Sequence, residues 1–341
     1  MKFGPVPLSE AEGKILGHNV AGADGRRVLR KGKPLTAADL ELLHELGRTS
    51  VYVASLAPED LDEDAAAGRV ARAVMGRHLR LSGPVTGRAN LYSRAAGVVR
   101  VAQAGLYALN NCDGITVATL PNQTTVDEGR VVATIKILPY GLPESTVEEA
   151  EAIAGENAPL LTLDPFPERT VGLILSGSPP ARERIVRSFE NALRPRLAAL
   201  QATLSRVDFV PLEDEAHEEA LVAAIQEQLA AGMEMIILAG ETAIMDRDDM
   251  APRAIRKAGG DITCFGAPVD PGNLLLLAYH GSTPLVGAPG CARSPKDNIV
   301  DLVLPRLIVG DRLTRADIVA LGHGGLLEDV PERPLPRSRL Q

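Results

Sequence analysis

From Thr170 onward the chain alternates short apolar runs with longer amphipathic ones. Val171–Leu175, Val207–Val210, Met235–Leu238 and Pro284–Gly287 read as buried strands. Ala181–Leu200, Ala216–Ala231, Met250–Ala258 and the stretch from Pro295 to Leu304 have helical length and spacing. Such alternation puts parallel strands into one sheet with helices on both faces. Residues 166–310 are therefore expected to form a doubly wound, mostly parallel α/β domain. Asp261–Tyr279 breaks the alternation: two apolar stretches flank Pro268-Val269-Asp270-Pro271-Gly272-Asn273, a turn-forming centre that predicts a β-hairpin. Residues 311–341 carry one more short helix, Arg315–Ala320, and a Pro- and Arg-bearing tail expected to lack fixed structure.

The first half has a different texture. Gly13–His18 and Arg27–Gly32 read as short strands, Thr36 caps a helix Ala37–Leu46 that stops at Gly47, and the strand Ser50–Val53 and a helix from Asp60 to Met75 follow. Residues 1–75 thus form a small α+β unit. Residues 76–165 are β-rich: Gly97–Val101, Ile115–Leu120 and Arg130–Ile137 are dense in β-branched residues, with helices expected over Gln103–Asn110 and Val147–Ala154. The boundary to the α/β domain falls at Pro165-Phe166-Pro167.

Three polar loops sit directly after strands of the α/β domain: Ser176-Gly177-Ser178, Ala239-Gly240-Glu241-Thr242, and Ala288-Pro289-Gly290-Cys291-Ala292-Arg293-Ser294. In an open parallel sheet, loops at the strands' carboxyl ends meet where the strand order reverses, so three of them imply one binding site. Glycines admit close backbone approach and helix N-termini favour anions, which makes a phosphorylated small molecule the expected ligand.

Composition narrows the partners. The formal net charge of -8 excludes an extended nucleic-acid surface but leaves room for a local basic pocket that takes a small anion. Trp is absent and aromatics make up 3%, so aromatic cages and base-stacking platforms are not expected. Three separated cysteines suggest neither a disulfide framework nor a metal site, which fits a reducing, cytoplasmic setting. The opening residues lack a secretory apolar segment, and no run approaches the roughly 18 apolar residues a membrane span needs, so neither export nor a membrane partner is expected.

Candidate chemistry gathers at the loops. Asp246, Asp248 and Asp249 precede a helix start, where carboxylates cap the helix; equally, Asp246 and Asp248 are candidates to hold Mg²⁺ beside a bound phosphate. Asp270-Pro271-Gly272-Asn273 is a hairpin turn and also lies before a crevice loop. Arg293 and Lys296 flank the expected start of the last helix, where cations and free N–H groups meet anions. The six histidines show no metal-ligand spacing, and Cys291 has no histidine partner in the sequence. Walker A and GxGxxG patterns are absent.

Taken in order, these elements resemble the molybdopterin-binding domain shared by molybdopterin molybdotransferases of the MoeA and gephyrin type, molybdopterin adenylyltransferases and CinA-like proteins. The resemblance covers residues 168–310. Lys31-Gly32-Lys33-Pro34-Leu35-Thr36, Ala133-Thr134-Ile135-Lys136-Ile137 and Leu321-Gly322-His323-Gly324-Gly325 are similar to a MoeA-like subgroup of unassigned reaction. The resemblance implies a molybdopterin phosphate, or its adenylylated form, bound across Ser176, Gly177, Ser178, Gly240, Glu241, Thr242, Pro271, Gly272, Asn273, Pro289, Gly290, Arg293, Ser294 and Lys296. Asp246 and Asp248 would be the catalytic and Mg²⁺-binding pair, and the protein a homo-oligomer in molybdenum cofactor biosynthesis that inserts molybdate as a transferase. The sequence departs from the pattern where Ala239 replaces a glycine, Glu241 adds a negative charge, Asn273 replaces a lysine and Leu274 a proline. Those departures keep open a non-catalytic cofactor carrier or sensor, and a CinA-like nucleotide pyrophosphatase.

Overall fold

The computed structural model describes residues 1–212 and 217–327. The chain divides into two compact units, Met1–Pro165 and the part from Phe166 onward.

In the first unit a three-stranded sheet pairs Lys2–Pro7 and Ile15–Leu16 with the central Ser50–Ser55. Lys2–Pro7 contains two prolines and a glycine, which hide a strand in the sequence, but as an edge strand it tolerates them. Thr36 caps the helix Ala37–Glu45 in a reciprocal box with Asp39. A four-stranded antiparallel sheet runs Ile115–Thr119, Val131–Ile137, Arg88–Ser93, Leu79–Leu81. The helix Glu63–Val74 buries Ala66, Ala67, Val70, Ala71 and Val74 in one core with Leu91 and Ile135 of that sheet.

The second unit is a mixed α/β fold built on one six-stranded sheet. Its elements are β1 (Arg169–Gly177), α1 (Arg182–Ala199), β2 (Ala202–Pro211), α2 (His217–Ala230), β3 (Met235–Gly240), α3 (Met250–Lys257), β4 (Asp261–Phe265), β5 (Leu276–His280), β6 (Thr283–Gly287), α4 (Ile299–Ile308) and α5 (Arg315–Ala320). The strand order is β2-β1-β3-β6-β5-β4; β2, β1, β3 and β6 are parallel, and β5 runs against both its neighbours. Leu173–Leu175 and Ile236–Leu238 are buried on both faces, as central parallel strands require. The expected hairpin is present as β4 and β5.

Two boundaries differ from the sequence expectation for physical reasons. β2 begins five residues earlier than Val207, because it is a sheet edge whose first half carries Thr203, Ser205 and Arg206 and so lacks an apolar signature. The last long helix starts at Ile299 rather than Pro295, because Asn298 and Asp301 form a reciprocal cap there. The expected start of α2 at Ala216 and the tail beyond residue 327 lie outside the described residues. Among the described residues no helix is long and apolar enough to cross a membrane.

Candidate functional site

The register of the sheet assembles the loops. β1 and β3 run together to Ser176 opposite Gly240, and β6 ends at Gly287 opposite Leu238. Leu276 at the start of β5 also faces Gly287, so the β4–β5 loop opens at the same edge. The chain moves from β1 to β2 on one side and then to β3 on the other, so the order reverses between β1 and β3. All three polar loops and the hairpin loop therefore share the carboxyl edge. Gly272 lets the hairpin loop seat on α4: a Cβ there would fall 2.3 Å from Ile299 Cβ, and the Pro271 carbonyl accepts the Ile299 N–H at 3.1 Å.

Glu241 fills the heart of this arrangement. The Ser178 N–H and hydroxyl donate to its Oε2 at 2.9 and 2.8 Å, and Arg184 Nη2 reaches its Oε1 at 3.1 Å. The Ser178 N–H, then its hydroxyl, then Arg184 hold the Glu241 carboxyl below the usual carboxylate range, against a smaller opposing effect of burial. A carboxylate of the chain itself thus occupies an oxyanion seat made by the β1 loop and the first turn of α1. No motif marks Arg184. Its one signal is a cation in a helix's first turn, where the dipole disfavours it unless an anion is near.

The other β3-loop candidates serve the loop. Asp246 Oδ1 accepts the Asp248 N–H at 2.8 Å, and Asp249 caps α3 through the Met250 N–H at 2.8 Å. The Asp248 side chain is 86% exposed and pairs with Arg256 at 3.2 Å. Mg²⁺ demands near-ideal octahedral oxygen geometry. Asp246 closes a turn through one oxygen and Asp248 faces a guanidinium, so the pair is not preset as an octahedral site. Among the described residues no group of three His, Cys, Asp or Glu side chains gathers as a metal site.

Gly240 packs tightly on Ser176, whose Oγ would lie 2.6 Å from a Cβ, while Thr242 is exposed. After β6, Pro289 introduces a 3₁₀ turn, Gly290–Arg293, and Ser294 Oγ accepts the Lys296 N–H at 3.2 Å. Lys296, like Arg293, therefore precedes α4 instead of lying in its first turn, and Arg196 of α1 donates to the Lys296 carbonyl at 2.9 Å. Burial pushes the Cys291 thiol up, against thiolate chemistry.

Two cavities open at this edge. The one at the β1–β3 crevice is about 40 Å³, walled by Ile174, Ser176, Leu238, Gly240 and Ile244. Ligand pockets are usually at least ~300 Å³, so this crevice is too small to enclose a small-molecule ligand. The other, about 580 Å³, brings Asp270 and Asn273 of the hairpin loop together with His323 and the glycines around it. No sequence spacing announces that pairing.

A family model described as a domain of unknown function (DUF8806) matches residues 5–55. No curated protein matches the chain. Among solved structures, the chain is similar to a molybdenum cofactor biosynthesis protein from Pyrococcus furiosus, at 12% identity and a TM-score of 0.24, over 94% of this chain and 65% of that one. It is also similar to the molybdopterin biosynthesis moeA protein from Pyrococcus horikoshii OT3, at 12% identity and a TM-score of 0.26, over 94% and 75%. A third similarity, to the molybdopterin biosynthesis Mog protein from Mycobacterium ulcerans, has 16% identity and a TM-score of 0.27, over 41% of this chain and 93% of that one. The chain thus spans just under two thirds of the length of the Pyrococcus furiosus protein.

Proposed function

We propose that the protein binds a phosphorylated pterin of the molybdopterin type, free or adenylylated, at the carboxyl edge of the second unit's sheet, and acts in molybdenum cofactor biosynthesis. The observation that carries this reading is the oxyanion seat at Ser178 and Arg184, placed where the strand order reverses and already reading a carboxylate. The order of the loops along the sequence supports the pterin. On binding, the ligand phosphate takes the place of the Glu241 carboxylate, accepting from the Ser178 N–H and hydroxyl and pairing with Arg184. Glu241 is partly exposed and swings toward solvent. The pterin body then lies along the edge toward Asn273 and the larger cavity.

A second reading, a carrier that binds the cofactor and passes it on, is favoured by the same residues. Glu241 makes binding reversible by competition, Asn273 brings no charge to a molybdate substrate, and Asp246 and Asp248 are engaged by a turn N–H and by Arg256. Calorimetry with molybdopterin, read together with pterin fluorescence, tests the binding. Saturable binding lost in Arg184→Ala supports it, and absence of binding removes it. Molybdate consumption by the wild type or by Asn273→Lys would favour the transferase; binding without turnover in both would favour the carrier.

A further inference from the structure

Five basic side chains line one cavity of the first unit. Arg30, Lys31 and Lys33 follow the strand Arg27–Leu29, Arg88 opens the strand Arg88–Ser93, and Lys136 lies on Val131–Ile137; with Glu63, Thr86, Leu138 and Tyr140 they enclose about 510 Å³. One carboxylate among five cations leaves the wall strongly positive, in a chain whose net charge is -8.

Some cations of this molecule are closely paired. Arg69 is held by Glu144 and Glu151, and Arg306 by Asp311 and Asp317. In the cavity, Lys33 is paired with Asp39 at 2.6 Å, and Lys136 donates to the Thr86 carbonyl at 2.6 Å with Glu63 3.5 Å away. Arg30, Lys31 and Arg88 have no carboxylate partner among the described residues. Like charges gathered without counter-charges repel, so a chain with acidic residues in excess keeps such a cluster only at a cost.

The wall is also built with strain. Val85 and Arg88 exchange backbone hydrogen bonds at 2.9 and 3.2 Å around Thr86 and Gly87, whose φ values are 52° and 69°. Both signs are those of a tight hairpin turn, and Thr86 is β-branched, a residue type that rarely adopts that region. The left-handed φ at Gly87 favours glycine, and Glu63 Oε2 and Lys136 Nζ close over it, 2.6 and 2.7 Å from where a Cβ would lie. The turn thus sets Arg88 and Lys136 into one concave surface. Opposite, the Tyr140 hydroxyl donates to the Gly17 carbonyl at 2.8 Å, and its ring lies against Phe3 at 6.4 Å, so that flank is fixed as well.

We propose that this cavity is a binding site for a small molecule carrying two or more phosphate groups. The volume suits a small ligand. Several converging cations suit an oligophosphate better than a single carboxylate, and Arg30 and Arg88 supply planar donors that grip phosphate in pairs. The site lies wholly in the first unit and does not rest on the pterin reading of the second.

The test is calorimetry with inorganic triphosphate on the full chain at low salt. Saturable binding is expected, weakened on the order of tenfold or more in Arg30→Ala/Arg88→Ala and falling with added salt. Arg88→Lys, which keeps the charge, retains an intermediate affinity. Arg312→Ala, a surface cation of the second unit, leaves the affinity unchanged. Lack of binding at millimolar triphosphate overturns the proposal, as does binding that ignores both cavity variants. Tighter binding of a single-stranded oligonucleotide, lost in the same variants, overturns it in favour of a nucleic-acid surface. Should the double variant fold poorly by circular dichroism, Lys31→Gln, at an exposed turn position, gives the same reading.

Discussion

Removing the Glu241 carboxylate should raise the affinity of the second unit for a phosphate. The seat's donors, the Ser178 N–H and hydroxyl, are 2.9 and 2.8 Å from that carboxylate, and the ligand has to displace it. Arg184 adds less to the closed state, since its side chain is 64% exposed and the pair is screened. If the two charge-assisted Ser178 bonds hold the seat closed in roughly 90–99% of molecules, apparent affinity is reduced roughly tenfold to a hundredfold, and Glu241→Ala recovers that factor. Glu241→Gln should fall between, because a neutral amide oxygen still accepts from Ser178 but more weakly. The carboxyl is held below its ordinary range, so Glu241 remains an ionised competitor from pH 7 to pH 5, and the pH dependence in that window comes from the ligand's own phosphate. Pyrophosphate calorimetry in an Arg30→Ala/Arg88→Ala background isolates this seat from the first unit's cavity, and the Ser178 amide resonance reports occupancy directly. Equal affinities for wild type and Glu241→Ala, with the Ser178 amide unmoved by ligand, would refute the competition.

Three further outcomes are expected. The Asp317 carboxyl is pushed up by burial, but the Thr314 hydroxyl, Arg306 and the Thr314 N–H outweigh that and hold it at about 2. A folded value below the unfolded one stabilises above the unfolded pKa of about 4 and is lost as pH falls through 2. With the side chain 31% exposed, Asp317→Asn should cost roughly 1–2 kcal/mol at pH 7 in urea denaturation, and the gap to wild type should close toward pH 2. Gly272→Ala places a Cβ 2.3 Å from Ile299 Cβ at a φ of +141°, so overpacking and strain should together cost about 2–4 kcal/mol and lower the Tm; an unchanged Tm would mean that the hairpin loop is not seated on α4. Titration with Mg²⁺ should give no saturable heat in wild type or in Asp246→Asn, and a heat lost on that substitution would restore the carboxylate pair as a metal site.

What could be read from the sequence was what neighbouring residues decide. Apolar runs separated by helical stretches identify the alternation of β1, β3 and β6 with their helices, and the short helix expected over Arg315–Ala320 is α5. The Asn298–Asp301 cap is equally local, yet Pro295 outweighs it because proline favours a helix's first turn. The polar first half of β2 and the proline-bearing Lys2–Pro7 are strands only because each lies at a sheet edge, which depends on the assembled sheet. The sites are further removed still. Glu241 is visible in the sequence as a charge in a glycine loop, but the contact that gives it meaning reaches back to Ser178 and Arg184 across a whole strand–helix–strand–helix passage. Arg30, Arg88 and Lys136 come from three separate elements, and the net negative charge of the chain conceals their convergence. On the proposed readings both places take an oxyanion, and they differ in what the chain supplies there. The second unit fills its seat with its own carboxylate, so its ligand must win a competition and can be released by the same residue. The first unit leaves most of its cations without a counter-charge, so binding there relieves repulsion and should depend steeply on salt. Salt should therefore separate the two sites even for one shared ligand, because it screens the cavity's cations while leaving a tethered competitor in place.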